Sequence, residues 1–118
     1  MATHHAAPGE IVNLETWAED LPEEHSKIIA RIEQMELARL VLPAGEVVGK
    51  HHIDGPLVIH CLSGAVDITA LGQERNLGSG ELIYLPAGEK FTMTARHHSL
   101  VLITFVFVSR TAGQIEMI

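Results

Sequence analysis

Turn signals recur through this chain at short, even intervals, and that rhythm leaves few folds open. They stand at Pro43-Ala44-Gly45, Asp54-Gly55-Pro56, Ser63-Gly64, Gly72, Gly78-Ser79-Gly80, Pro86-Ala87-Gly88, Arg96-His97-His98 and Ala112-Gly113. Between them lie short apolar runs at 46–53, 57–62, 65–71, 74–77, 81–85, 90–95 and 99–108. Glycine and proline supply the backbone angles that tight turns need, and runs this short are strands rather than helices. Many short strands at close spacing predict a β-sandwich or β-barrel. Hydrophobic residues make up 47% of the 118, enough to build one core without disulfide staples. The runs Leu57-Val-Ile-His-Cys-Leu62 and Leu100-Val-Leu-Ile103 are apolar on both faces. One face fills the barrel. The other calls for cover by a second sheet or another subunit, and a homodimer is the simplest cover.

The first third reads differently. Residues 1–13 hold a Pro-Gly pair and no periodicity, which predicts a mobile tail carrying the pair His4-His5. Leu14 to Leu21 can form one or two helical turns closed by Pro22, with Trp17 anchoring the segment to the barrel. The stretch KIIARIEQMELARLVL is ambiguous, because its apolar residues also recur at helical spacing. Its β-branched content, and the alternation of Arg39-Leu40-Val41-Leu42 into a turn, favour two strands at 27–32 and 35–42 joined at Glu33-Gln34. The expected organisation is a tail and short helical segment at 1–26, followed by a barrel domain at 27–118.

Charge and cysteine content narrow the function. The formal charge is −7, and eight carboxylates fall between Glu10 and Glu36 against Lys27 and Arg31. That acidic stretch reads as a solvated surface. No cluster of Lys and Arg could neutralise a row of phosphates, so nucleic-acid partners are not expected. Cys61 is the single cysteine, which rules out an intrachain disulfide. The N-terminal residues lack the basic start and apolar run of a signal peptide. The longest apolar stretch, Leu100 to Val108, is too short for a membrane-spanning helix. The expectation is a cytoplasmic protein with no membrane partner.

Two glycine-proline frames then resemble the cupin superfamily, whose signatures are G-x5-H-x-H-x3,4-E-x6-G and G-x5-P-x-G-x2-H-x3-N. Gly45, His51 and Gly64 follow the first frame, and Gly80, Pro86 and Gly88 follow the second. The resemblance implies an all-β cupin fold, a double-stranded β-helix of jelly-roll type, with the short N-terminal helical segment added. It also implies where a metal would sit: two His and a Glu from the first signature and one His from the second. Here those positions hold His51, Ile53, Leu57 and Phe91, and the closing Asn position holds Ala95. One imidazole and three hydrocarbons cannot hold a transition metal, so neither metal nor other cofactor is expected.

Alternation from these positions adds Ile59, Cys61 and Met93 to the inner wall, and Tyr84 is placed near the barrel mouth. The candidate pocket is therefore His51, Ile53, Leu57, Ile59, Cys61, Tyr84, Phe91 and Met93. Such a lining suits a small apolar or mixed ligand, and it equally suits a barrel packed solid with side chains. Cys61 is expected to behave as an inert buried thiol. His51 and Tyr84 could act as base and acid in metal-free proton transfer, as in sugar-nucleotide epimerases of this fold, but no basic set for a pyrophosphate accompanies them. Alternation puts His60 on the opposite face, and His97-His98 fall in a turn. The favoured expectation is a stand-alone, non-catalytic cupin that binds or senses a small molecule. The alternative is a metal-dependent oxygenase or isomerase built on a displaced set drawn from His51, His60, His97 and His98. A third reading is a structural partner that docks another protein on its apolar outer strands.

Overall fold

A computed structural model describes residues 5–15, 26–50 and 54–107. Nine strands occur in this part: β1 (Lys27–Arg31), β2 (Met35–Leu42), β3 (Val47–Lys50), β4 (Leu57–Ser63), β5 (Ala65–Ala70), β6 (Gln73–Gly78), β7 (Leu82–Leu85), β8 (Phe91–Ala95) and β9 (Ser99–Val106). Among the described residues there is no helix, and none long and apolar enough to cross a membrane. Leu14 and Glu15 form a turn. The rest of the expected helical segment lies outside the described residues, as do Trp17, His51, His52 and Ile53.

The ambiguous stretch resolves into two strands. β1 pairs antiparallel with β2, and a bulge between Ile28 and Ala30 leaves Ile29 out of the ladder. Ile29 is buried, and its carbonyl accepts the N–H of Ala6 from the N-terminal segment at 2.6 Å. Helical spacing along this stretch loses to sheet pairing, because β2 also pairs along its whole length with β9.

The strands form two antiparallel sheets, ordered β1-β2-β9-β4-β7 and β3-β8-β5-β6. From β2 onward the chain shuttles between the sheets except at the β5–β6 hairpin, which stays within the four-stranded sheet, and this is the jelly-roll arrangement. Directly paired residues share a face, so the register fixes what points inward. In the five-stranded sheet Leu57 pairs with Leu85 and Phe105, Ile59 with Ile83 and Ile103, and Cys61 with Val101. In the four-stranded sheet Met93 pairs with Val48 and Ile68, and Phe91 with Ala70. These inward residues pack into one apolar cluster between the sheets.

Corners between the sheets explain why glycine spacing carried the resemblance. Gly45, Gly64, Gly80 and Gly88 all lie in the left-handed region, with φ from 85 to 90°. Gly64, which turns the chain from β4 into β5, is the tightest. A Cβ there would run into the Ser99 hydroxyl and sit 2.6 Å from the His98 carbonyl. Ser99 is itself fully buried, and its hydroxyl donates to the His97 carbonyl at 2.8 Å while accepting the N–H of Ala65 at 3.1 Å.

Candidate functional site

Strands β4 and β8 carry the described positions of the candidate pocket to facing sides of the barrel. Alternation along β4 turns Leu57, Ile59 and Cys61 inward, and along β8 it turns Phe91 and Met93 inward. Ile59, Cys61 and Met93 have no accessible surface at all, so no water-sized space adjoins them. The middle of the barrel is filled by side chains. Leu57 and Phe91, 1% and 3% exposed, belong to the same apolar cluster. By the sequence resemblance these two positions would carry metal ligands; in this chain both present hydrocarbon.

Tyr84 stands elsewhere. It pairs with Val58 on the outer face of β7 and is 61% exposed, whereas its neighbour Leu85 is the residue that points inward. The expectation that Tyr84 lines the pocket is corrected by this register. Period-two alternation allows only one of two adjacent residues to face the core, and Leu85 gains more from burial than a phenol without a buried partner. A Tyr84 hydroxyl on the outer face cannot serve as the acid of an interior proton transfer.

Cys61 is a free, buried thiol whose sulfur donates to the Ser63 carbonyl at 3.4 Å. Burial, and secondarily the negative charge of Glu81, push its pKa up from the ordinary thiol value. The thiolate is the reactive form, so this sulfur is a poor nucleophile and packs as a small hydrophobe.

The histidines divide between faces. His60 lies on the outer side of β4, cross-strand from Leu102 and Leu82, while His97 and His98 sit exposed in the β8–β9 hairpin. No three His, Cys, Asp or Glu side chains among the described residues come together as a metal group would require.

A polar residue does face inward at the other side of the barrel, and sequence patterning gave no hint of it. Arg75 on β6 pairs with the buried Ile68 of β5, so it projects from the inner face of the four-stranded sheet. β6 and β7 are the outermost strands of their sheets, and no ladder joins them. Between them opens a crevice of about 410 Å³, lined by Ile68, Arg75, Asn76, Leu77, Glu81, Leu82 and Ile83. The segment Gln73-Glu-Arg-Asn-Leu-Gly78 has too few apolar residues to reveal its own orientation. Only its two-residue turn at Leu71-Gly72, read together with the apolar alternation of β5, could have located Arg75 from sequence.

No protein-family model matches the chain, and no curated protein does. Solved structures match it closely in shape. A conserved protein of unknown function from Streptococcus pyogenes is similar over 93% of this chain and 97% of its own, with a TM-score of 0.75 and 18% identity. A cupin superfamily protein from Desulfitobacterium hafniense is similar over 92% of this chain and 100% of its own, at a TM-score of 0.73 and 14% identity. A cupin-2 domain protein from Shewanella frigidimarina is similar over 81% of this chain and 94% of its own, at 0.66 and 18%. Likeness at this identity speaks for the fold, and the fold is that of the cupins.

Proposed function

We propose that this chain is a cupin domain that binds or senses a small molecule at the barrel mouth, without a metal and without catalysing a reaction. The observation that carries the reading is the chemistry of Leu57 and Phe91. They stand at two ligand positions of the cupin frame, face inward, and are buried in hydrocarbon. With Ile53 at a third position, the donor set does not fit a transition metal, since one imidazole leaves the coordination shell unfilled.

Because Ile59, Cys61 and Met93 are packed solid, they form a floor rather than a pocket wall. The ligand in this reading rests above Leu57 and Phe91, and the cupin frame of the sequence adds one hydrocarbon position, Ile53, and one polar position, His51. Concave apolar surface with a single convergent polar group selects a small apolar or mixed ligand. A lone buried cysteine, free of any partner thiol, suits the reducing cytoplasm. The outer face of the five-stranded sheet, where Val58, Leu82, Tyr84, Leu100 and Leu102 lie, favours a homodimer.

Elemental analysis after supply of Zn, Mn, Ni and Fe(II) tests the metal-free part. We expect less than about a tenth of an equivalent bound. Near one equivalent, lost in His51→Ala and kept when His4 and His5 are trimmed, would overturn it in favour of a displaced histidine set. A thermal-shift screen of small apolar and mixed compounds tests the binding part. Hits that stabilise the wild type and lose effect in Leu57→Arg support the mouth site, and their persistence in that variant would refute it.

A further inference from the structure

We infer that the crevice between β6 and β7 is a second binding site, and that it takes a small monocarboxylate with an apolar body. This site is set at the side of the barrel and does not depend on the mouth reading above.

Arg75 is the cationic group of this crevice. It is half-buried on an edge strand, cross-strand from buried Ile68, so its stem lies against the core while its guanidinium stays at the surface. Its Nη1 donates to the Ala70 carbonyl at 3.3 Å and its Nη2 to Gln73 Oε1 at 3.2 Å. Both bonds are long and both acceptors neutral. No carboxylate forms an ion pair with Arg75 among the described residues, whereas Arg31 and Arg96 are paired with Glu36 and Asp67. The planar guanidinium still carries donors in the fork geometry that matches a carboxylate.

The rest of the crevice describes the ligand's body. Half-buried Ile83, with the edges of buried Ile68 and Leu77 behind it, gives the crevice its hydrocarbon side. Leu82, 58% exposed, borders the crevice from the outer face of β7. Glu81 sets the charge. One of its oxygens accepts the Gly78 N–H at 2.8 Å, and its negative charge at the rim opposes dianions such as phosphate more than a single carboxylate.

Octanoate and its neutral counterpart octanamide, titrated into the ¹⁵N-labelled full chain, provide the test. Octanoate should shift the amides of Ile68, Arg75 to Leu77 and Glu81 to Ile83, and bind more tightly than octanamide. Arg75→Gln should weaken octanoate about tenfold while leaving octanamide unchanged, and Arg75→Lys should recover part of the loss. Equal affinity for the two probes overturns the site, as does an unaltered octanoate affinity in Arg75→Gln. Shifts confined to Leu57 and Phe91 would place the ligand at the mouth instead, refuting the crevice while supporting the mouth. Should Arg75→Gln fail to fold, Glu81→Gln decides. Tighter octanoate binding by about two- to threefold supports the site, and no change overturns it.

Discussion

The two sheets share one core and turn opposite surfaces to the outside. The outer face of the five-stranded sheet carries Val58, Leu82, Tyr84, Leu100 and Leu102, with Arg39, His60 and Thr104 among them. That of the four-stranded sheet carries Asp67, Thr69, Glu74, Asn76, Thr92 and Thr94. There Asp67 accepts from Arg96 at 2.7 Å and from Asn76 at 3.2 Å, a surface network content with water. Both sheets send buried apolar residues into the one core, with Arg75 the charged exception on the inner face of the four-stranded sheet, so core formation does not account for the difference. The proposed homodimer would cover the outer face of the five-stranded sheet, part of which already meets the N-terminal segment through Arg39 and the Leu14 carbonyl.

The largest effects should come from the inner faces, where the comparison predicts equality. Ile59→Ala in the five-stranded sheet and Ile68→Ala in the four-stranded sheet should each cost about 2–5 kcal/mol in urea unfolding. A cost well below that range on one side only would show that the two faces are not packed alike. Next comes the corner joining the sheets. Gly64→Ala forces a methyl into Ser99 and a left-handed backbone, and should cost about 2–3 kcal/mol. Gly45→Ala, with the same φ but open space around it, should cost about 1 kcal/mol. Equal losses would mean that backbone angle alone, and not the close approach to Ser99, governs the corner.

The outer faces are where the sheets should part. Leu82→Glu with Tyr84→Glu should weaken self-association by at least about a hundredfold in sedimentation equilibrium, while Thr92→Glu leaves it unchanged. A wild-type monomer at micromolar concentration would remove the covered-face reading altogether. The smallest effect is electrostatic. Hydrogen bonds from Arg96 and then Asn76 hold the Asp67 pKa below its ordinary 3.8. A depressed carboxylate adds stability above its unfolded pKa and loses it as pH falls through the folded one. Asp67→Asn should therefore lower the melting temperature slightly at neutral pH and shrink the acid loss below about pH 4. An unchanged acid limb would show that the network is ornamental to stability.

Local chemistry made much of this protein readable without coordinates. Turn residues and short apolar runs marked the strands, including the division of 27–42 into β1 and β2, because turn angles and period-two alternation are properties of neighbouring residues. The glycine-proline frame marked the fold, since Gly64 and its fellows answer to steric needs of the corners themselves. The inward positions of Leu57, Ile59, Cys61, Phe91 and Met93 followed from alternation within single strands. Tyr84 and Arg75 did not. Whether either side chain faces core or water depends on the strand it pairs with, and a register shift by one residue exchanges the two faces. β7 offers four consecutive apolar or aromatic residues and β6 nearly none, so neither strand carries a pattern that fixes its own orientation. Pairing with β4 turned Tyr84 outward, and pairing with β5 turned Arg75 inward. Those choices belong to the tertiary structure, because they are settled by the burial of partners far away in the chain.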